Sequence, residues 1–183
     1  ATGEVMAIDR TFEAALNKAV RSLEIGKKSL LWEDPQWGRE TGIEGYPLSP
    51  NDLRLWGLLG AMRRGMSVEE ACRRTGMDPW FLEKFSSLLG MEKELLGATL
   101  TPDLMRRAKR MGFPDEVIGV LGDRLPDQVR ALRKQWAIRP VYKMVDTCAA
   151  EFAAQTPYFY STYEQENEAA PFTEKKAVVI GSG

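Results

Sequence analysis

The chain has 183 residues, room for one domain or slightly more, and its 44% apolar and 28% charged side chains are a globular balance. Lys and Arg number 25 against 26 Asp and Glu, so the net charge of −1 supplies no global pull toward nucleic acid or an anionic membrane. Histidine is absent and the only cysteines are Cys72 and Cys148, which excludes Ser-His and Cys-His nucleophile pairs, His-containing metal sites and four-thiolate sites within one copy.

In chain order, residues 4–8 have strand character without a partner strand nearby. A helix is expected from Thr11 to Ile25: Thr11 can cap it, Glu13 suits its positive end, Gly26 can stop it, and Phe12, Leu16, Ala19, Val20 and Leu23 share one face. Residues 26–50 then break the periodicity with Gly26, Pro35, Gly38, Gly42, Gly45, Pro47 and Pro50, while Trp32, Trp37 and Tyr46 are expected to pin this loop to the body.

Residues 49–136 carry helix punctuation that repeats. Ser49-Pro50 and Thr101-Pro102 each place a capping hydroxyl before a proline, Gly65 and Gly112 end the helices so begun, and Asp78-Pro79 and Pro126-Asp127 open later ones. Shifted by forty-seven residues, Ala61, Arg63, Gly65, Glu69 and Pro79 meet Ala108, Arg110, Gly112, Glu116 and Pro126, with apolar positions matched between them. Two copies of one small helical unit are expected. After Trp136, residues 141–145 and 158–163 favour extended structure. Residues 164–170 read as an acidic linker, and 177–183 as a buried strand running into a glycine turn.

Little here reads as chemistry. Ser67 with Glu70 makes a capping box ahead of a second helix at Pro79, so a helix-turn-helix nucleic-acid-binding module is the alternative reading. That second helix, however, begins Trp80-Phe81-Leu82-Glu83-Lys84-Phe85, a face suited to a core. The pairs Arg63-Arg64, Arg73-Arg74 and Arg106-Arg107 read as solvated helix faces with acids three or four residues away. Asp146 and Glu151 read as capping or ion-pair groups. No catalytic, cofactor-binding or metal-binding residue is expected. Cys72 and Cys148, among small or apolar neighbours, read as reduced, buried thiols. No apolar run nears the ~18 residues of a membrane span, and the first residues do not resemble a signal peptide, so a cytoplasmic protein without membrane contact is expected.

The helix expected from Pro50 has apolar residues on most sides. Leu53, Leu55, Trp56, Leu58 and Leu59 are therefore the candidate self-association residues, to be covered by the 26–50 loop or by a second chain. The counterpart helix from Pro102 has a charged side and reads as an ordinary surface helix.

Several passages carry a resemblance. These are Thr2-Gly3-Glu4-Val5-Met6-Ala7-Ile8 with Arg10-Thr11-Phe12; Pro140-Val141-Tyr142-Lys143; Val145-Asp146-Thr147-Cys148-Ala149-Ala150-Glu151-Phe152; Tyr160-Ser161-Thr162-Tyr163-Glu164; and Val178-Val179-Ile180-Gly181-Ser182-Gly183. Together they resemble the carbamoyl-phosphate synthetase large subunit. The resemblance implies a mainly α, multihelical oligomerisation or connecting domain with two related helical subdomains and short β segments at its ends. It also implies boundaries: 1–10 as the tail of a first synthetase half, 11–164 as the helical domain, 165–176 as a linker, and 177–183 as the first strand of a second half.

Tyr142, Lys143, Asp146, Thr147, Cys148, Glu151 and Phe152 form the family-motif anchor, expected to pack with one of its acids held by backbone amides or an arginine. The implied partners are the two synthetase halves, further copies of the chain and a glutaminase small subunit. The resemblance further implies MgATP as the cofactor of the parent enzyme, with carbamoyl phosphate for arginine and pyrimidine synthesis as its product. Asp9 and Pro114 depart from the glycine and serine usual at those places.

Overall fold

Short polar side chains begin most of the helices where the sequence puts them. In the computed structural model, which describes residues 4–23, 29–39, 42–148, 151–152, 158–171 and 173–179, Thr11 caps α1 (Phe12–Ser22) and Ser67 caps α3 (Val68–Thr75). Asp78 caps α4 (Pro79–Gly97) and Thr101 caps α5 (Pro102–Arg110), in each case by accepting a bond from a first-turn amide. In α7 (Pro126–Gln135), Gln128 reaches back instead, its Oε1 accepting from the Leu125 amide at 3.0 Å.

Two helices begin without a side-chain cap: α2 (Arg54–Arg63) and α6 (Asp115–Leu121). The start of α2 corrects the expectation at Pro50. Asn51 Oδ1 accepts from the Leu53 amide at 2.8 Å, a local turn that competes with helix, so the helix begins only at Arg54. Pro114 holds the cap position of α6 with no capping bond, as a residue lacking a hydroxyl must. Helix α1 ends at Ser22, short of Ile25, and Gly26 lies outside the described residues.

The duplication is visible in the backbone. Gly65 (φ 103°) and Gly112 (φ 82°) both turn left-handed, and so do Gly76 (φ 67°) and Asp123 (φ 50°), each pair forty-seven residues apart. After α2, the Gly65 amide donates to Met62 O at 3.0 Å and the Met66 amide to Ala61 O at 3.2 Å. After α5, Gly112 donates to Lys109 O at 3.0 Å and Phe113 to Ala108 O at 3.1 Å, the same two-bond helix stop. The following helices begin in register as well, α3 with α6 and α4 with α7. Ala61, Ala71 and Leu82 and their counterparts Ala108, Ile118 and Val129 are all fully buried. The copies diverge at the end, where α4 runs 19 residues and α7 only 10.

The core gathers around α2. The loop before it packs inward through Leu30, Tyr46 and Leu48, and Trp56, Trp32, Trp37 and Tyr46 form a chain of edge-on ring contacts at 6.2, 5.3 and 5.8 Å. Gly57 and Gly60 permit this approach: a Cβ at Gly57 would lie 2.5 Å from Pro47 O, and one at Gly60 would lie 2.5 Å from the Tyr46 ring. Trp56, Leu58 and Leu59 are consequently buried by their own chain, with Leu53 and Leu55 only part exposed. Among the two outcomes the sequence allows for this helix, cover by the loop is the one found, so these three side chains offer nothing to a second copy.

Two strands, β1 (Val141–Met144) and β2 (Phe159–Thr162), pair antiparallel, with Val141 opposite Thr162 and Met144 opposite Phe159. The described residues at either end, 4–9 and 173–179, form no strand, and Ile180–Gly183 of the expected terminal strand lie outside the described residues. Cys72 and Cys148 form no disulfide, and both are part exposed, which corrects the expectation of burial. Among the described residues no helix is long and apolar enough to cross a membrane.

Candidate functional site

Charged groups leave the surface in several clusters, and two of them meet the segments before α1 and after β2. On α1, Lys18 Nζ donates to Ile8 O at 2.8 Å and to Ser161 O at 2.5 Å, and pairs with Asp9 Oδ2 at 2.7 Å. The Thr162 hydroxyl donates to Asp9 Oδ1 at 2.9 Å, and the Lys18 ammonium sits 5.5 Å from the Tyr160 ring centroid. One lysine thus holds the segment before α1 against β2, a contact spanning most of the chain. Asp9 is not left-handed. Its carboxylate is the counter-ion of this clasp, which a glycine there could not supply.

A second cluster joins the helical units to the residues after β2. Lys109, 6% exposed, donates to Phe113 O at 2.8 Å and Asp115 Oδ1 at 2.9 Å. Arg133 reaches the same carboxylate, its Nη2 donating to Oδ2 at 3.0 Å, while its Nη1 donates to Ile138 O at 3.2 Å. Tyr163 lies over both cations, its ring centroid 5.0 Å from Lys109 Nζ and 5.8 Å from the Arg133 guanidinium carbon.

Burial holds the Lys109 ammonium below its usual pKa despite Asp115, and raises the Tyr163 phenol. Burial would raise Asp115 too, but hydrogen bonds from Arg133 and Lys109 outweigh it and hold the carboxyl below the usual range. Arg21 and Arg130 complete the wall of a cleft of about 280 Å³ here.

The two helical units use equivalent arginines, Arg63 and Arg110, to hold an irregular segment. In the first, Arg63 donates to Leu30 O at 2.7 Å, Glu33 at 3.0 Å and Glu92 at 2.7 and 2.8 Å. In the second, Arg110 donates to Tyr163 O at 3.3 Å and Glu164 at 3.2 Å. The solvated face expected at Arg63 is corrected: its side chain is 17% exposed, and its acid partners are remote in sequence. Burial would lower its pKa, but the bonds it donates to Glu92 and Glu33 raise it. Arg73 and Arg107 do have the local acids expected of them, Glu70 and Asp103.

The motif residues range from Lys143, with a side chain 13% exposed, to Phe152 at 76%. Lys143 Nζ donates to Glu168 at 3.0 Å. Tyr142 is half-exposed, Asp146 Oδ1 accepts from the Cys148 amide at 2.9 Å, the Thr147 hydroxyl lies 3.8 Å from Cys148 Sγ, and Glu151 and Phe152 face solvent. Of the two acids, Asp146 is held by a backbone amide as expected, and Glu151 is exposed. The fixed parts of this region are the β1–β2 pair and the segment after it, where the Glu168 amide donates to Tyr142 O and its carboxylate accepts from the Met144 amide, both at 2.8 Å. Glu164 and Glu168 are accordingly tied down, by Arg110 and by Lys143 with the Met144 amide, while Glu166 stays 88% exposed.

The important residues missed in the sequence are Lys18, Lys109, Asp115, Arg133 and Tyr163. Lys109 had a readable signal, since it falls on the face of α5 that buries Met105 and Ala108. The other side of α5 is the charged surface expected of it, with Arg106, Arg107 and Arg110 exposed. Among the described residues no group of three His, Cys, Asp or Glu side chains could hold a metal.

The fold is a duplicated helical body whose part-buried charges hold irregular segments, residues 8–9 and 161–164 at Lys18 and Arg110 and residues 30–33 at Arg63. The profile of the carbamoyl-phosphate synthetase large chain, oligomerisation domain, matches residues 4–137. The chain is 51% identical over 183 residues to the carbamoyl phosphate synthase large chain of Thermomicrobium roseum, and 46% identical over 188 and 184 residues to those of Methanothrix thermoacetophila and Caldanaerobacter subterraneus subsp. tengcongensis. All of this chain is covered in each case, but it spans only 17% of each relative's length. The chain belongs to the oligomerisation-domain family of carbamoyl-phosphate synthetase large chains. The nucleic-acid alternative has no support, and the aromatic start of α4 packs on α1, with Phe12 5.5 and 5.4 Å from the rings of Trp80 and Phe81.

Proposed function

We propose that this chain is the non-catalytic connecting and self-associating segment of a large chain that makes carbamoyl phosphate. The flanking synthetase halves are its covalent partners, the glutaminase subunit binds elsewhere on the parent, and MgATP acts in those halves. The observation that supports this best is the Lys18 clasp. Residues 8, 9 and 161 converge on one ammonium, so the chain enters and leaves the helical body side by side.

The reading is tested in the full-length large chain carrying Lys18→Met. Overall carbamoyl phosphate formation should fall, while bicarbonate-dependent ATP hydrolysis, the work of one half alone, persists. Unchanged overall synthesis would count against a connecting role. Self-association is read separately as the mass of the 183-residue chain across a wide concentration range, where a constant monomer mass would remove it.

A further inference from the structure

The two helical units allow an internal comparison at the cleft beside Tyr163. Lys109, Asp115, Arg130 and Arg133 of the second unit stand forty-seven residues after Met62, Val68, Glu83 and Ser86 of the first. Met62 is buried and Val68 packs on the core, so the first unit closes without the charges that meet at Asp115 in the second. Two desolvated cations on one carboxylate are costly to bury and are no requirement of this helical unit. What they share is the cleft they line.

The positive charge there is not used up. Lys109 spends two of its three ammonium hydrogens, on Phe113 O and Asp115, and keeps one. Arg133 spends its fork on the same carboxylate, so two positive charges share one negative. Arg21, in the last turn of α1, and Arg130, on α7, line this cleft too. Both are exposed and make no ion pair among the described residues. Tyr163 also lines it, and its hydroxyl makes no hydrogen bond among the described residues. Two further carboxylates, Glu116 and Asp127, stand in the wall, but both are exposed and open to screening by salt. The volume of about 280 Å³ falls just below the ~300–1,000 Å³ of pockets for drug-sized molecules. It fits a small ligand, and donors that lack acceptors fit an anion with several oxygens.

We propose that this cleft binds a small phosphate-type oxyanion, either inorganic phosphate or the head of a phosphate monoester, between Arg21 and Arg130 with Lys109 beneath them. The guanidinium fork matches a phosphate in both shape and charge. The site draws on α1, on the second helical unit and on the residue that follows β2, so an occupant would tie these three parts together. This inference goes beyond the connecting role and does not rest on it.

Phenylglyoxal labelling of arginines in the full-length large chain, read by peptide mass spectrometry, tests it. The readout is local, so phosphate bound elsewhere on a longer polypeptide does not interfere. Arg21 and Arg130 should react in low-salt buffer, and inorganic phosphate at about four times its dissociation constant should slow both about five-fold. Arg106 and Arg124, exposed and outside this cleft, are the references and should keep their rates. Glycerol phosphate is run in parallel. Equal protection by it assigns the site to monoesters, and protection by inorganic phosphate alone assigns it to the free ion. Arg130→Gln, at an exposed position, should raise the phosphate concentration needed to protect Arg21 about ten-fold, the loss of one charge-assisted bond. Arg106→Gln should leave it unchanged, and an equal loss in both variants overturns the proposal. Equal protection by chloride at the same ionic strength, or no protection by phosphate, overturns it too. So does a pair of arginines unreactive before phosphate is added, which would mean that the longer chain already covers the cleft.

Discussion

Asp115 is the residue on which the second unit's charges balance. Two cations converge on it, Lys109 at 2.9 Å and Arg133 at 3.0 Å, and the side chains are 6%, 14% and 15% exposed for Lys109, Arg133 and Asp115. Removing one member of such a group leaves the others desolvated and unpaired, at about 3–5 kcal/mol. Asp115→Asn should therefore be less stable by that amount near neutral pH. Because the folded-state pKa of Asp115 is held below its ordinary value, its stabilisation is fully present above the ordinary carboxylate range and is lost as pH falls through the depressed value. The gap between the two proteins should close as pH drops below about 4. Urea unfolding at neutral and strongly acidic pH checks both statements.

Glycines give a second contrast at the same scale. At Gly57 a Cβ would press on the Pro47 carbonyl, whereas at Gly90, in the interior of α4, nothing lies within 4 Å. Gly57→Ala should cost roughly 1–3 kcal/mol through overpacking. Gly90→Ala should gain roughly 0.5–1 kcal/mol because alanine loses less backbone freedom in a helix. Denaturant midpoints of the two variants should move in opposite directions.

Among elements, the repeat makes the most specific demand. Position 76 is a glycine and position 123 an aspartate, yet both are left-handed. A side chain in that region costs up to roughly 1–2 kcal/mol, less for Asp. Asp123→Gly should raise the melting temperature modestly, and Gly76→Ala should lower it.

Caps and stops of this kind are the most legible feature of the sequence, because they depend on one or two adjacent residues. Thr11, Ser67, Asp78, Thr101, Gly65 and Gly112 act as read. The late start of α2 is not legible, since Asn51 competes locally for the backbone. The clusters at Lys18 and Asp115 are not legible either. Their partners lie far apart in the chain, and a lysine among charged neighbours reads as solvated until the fold buries it.

At the scale of the molecule, α2 settles which surface is available. Leu58 is 0% exposed, and Trp56 beside it donates its ring N–H to Ser29 O at 2.7 Å. Leu58→Glu, which would split a dimer had this been a contact face, should instead abolish the cooperative unfolding transition, because an unpaired carboxylate in that core costs several kcal/mol. Circular dichroism at a single dilute concentration distinguishes the two, since a dissociated but folded chain keeps its helical signal.

The Lys18 clasp also has a consequence for the order of events during synthesis. Its two sides are separated by about 150 residues, so closing it carries a large loop entropy and must wait for β2 to emerge. Translation proceeds at roughly 5–20 residues per second, while helices form within about a microsecond. The helical units, rich in local contacts, therefore have seconds to assemble around α2 before β2 exists to be gripped. In a longer polypeptide, the upstream flank would be complete before the clasp can close, and the downstream flank would be made only afterwards. The closing of the clasp would then mark the moment at which the two flanks acquire a fixed relation to one another.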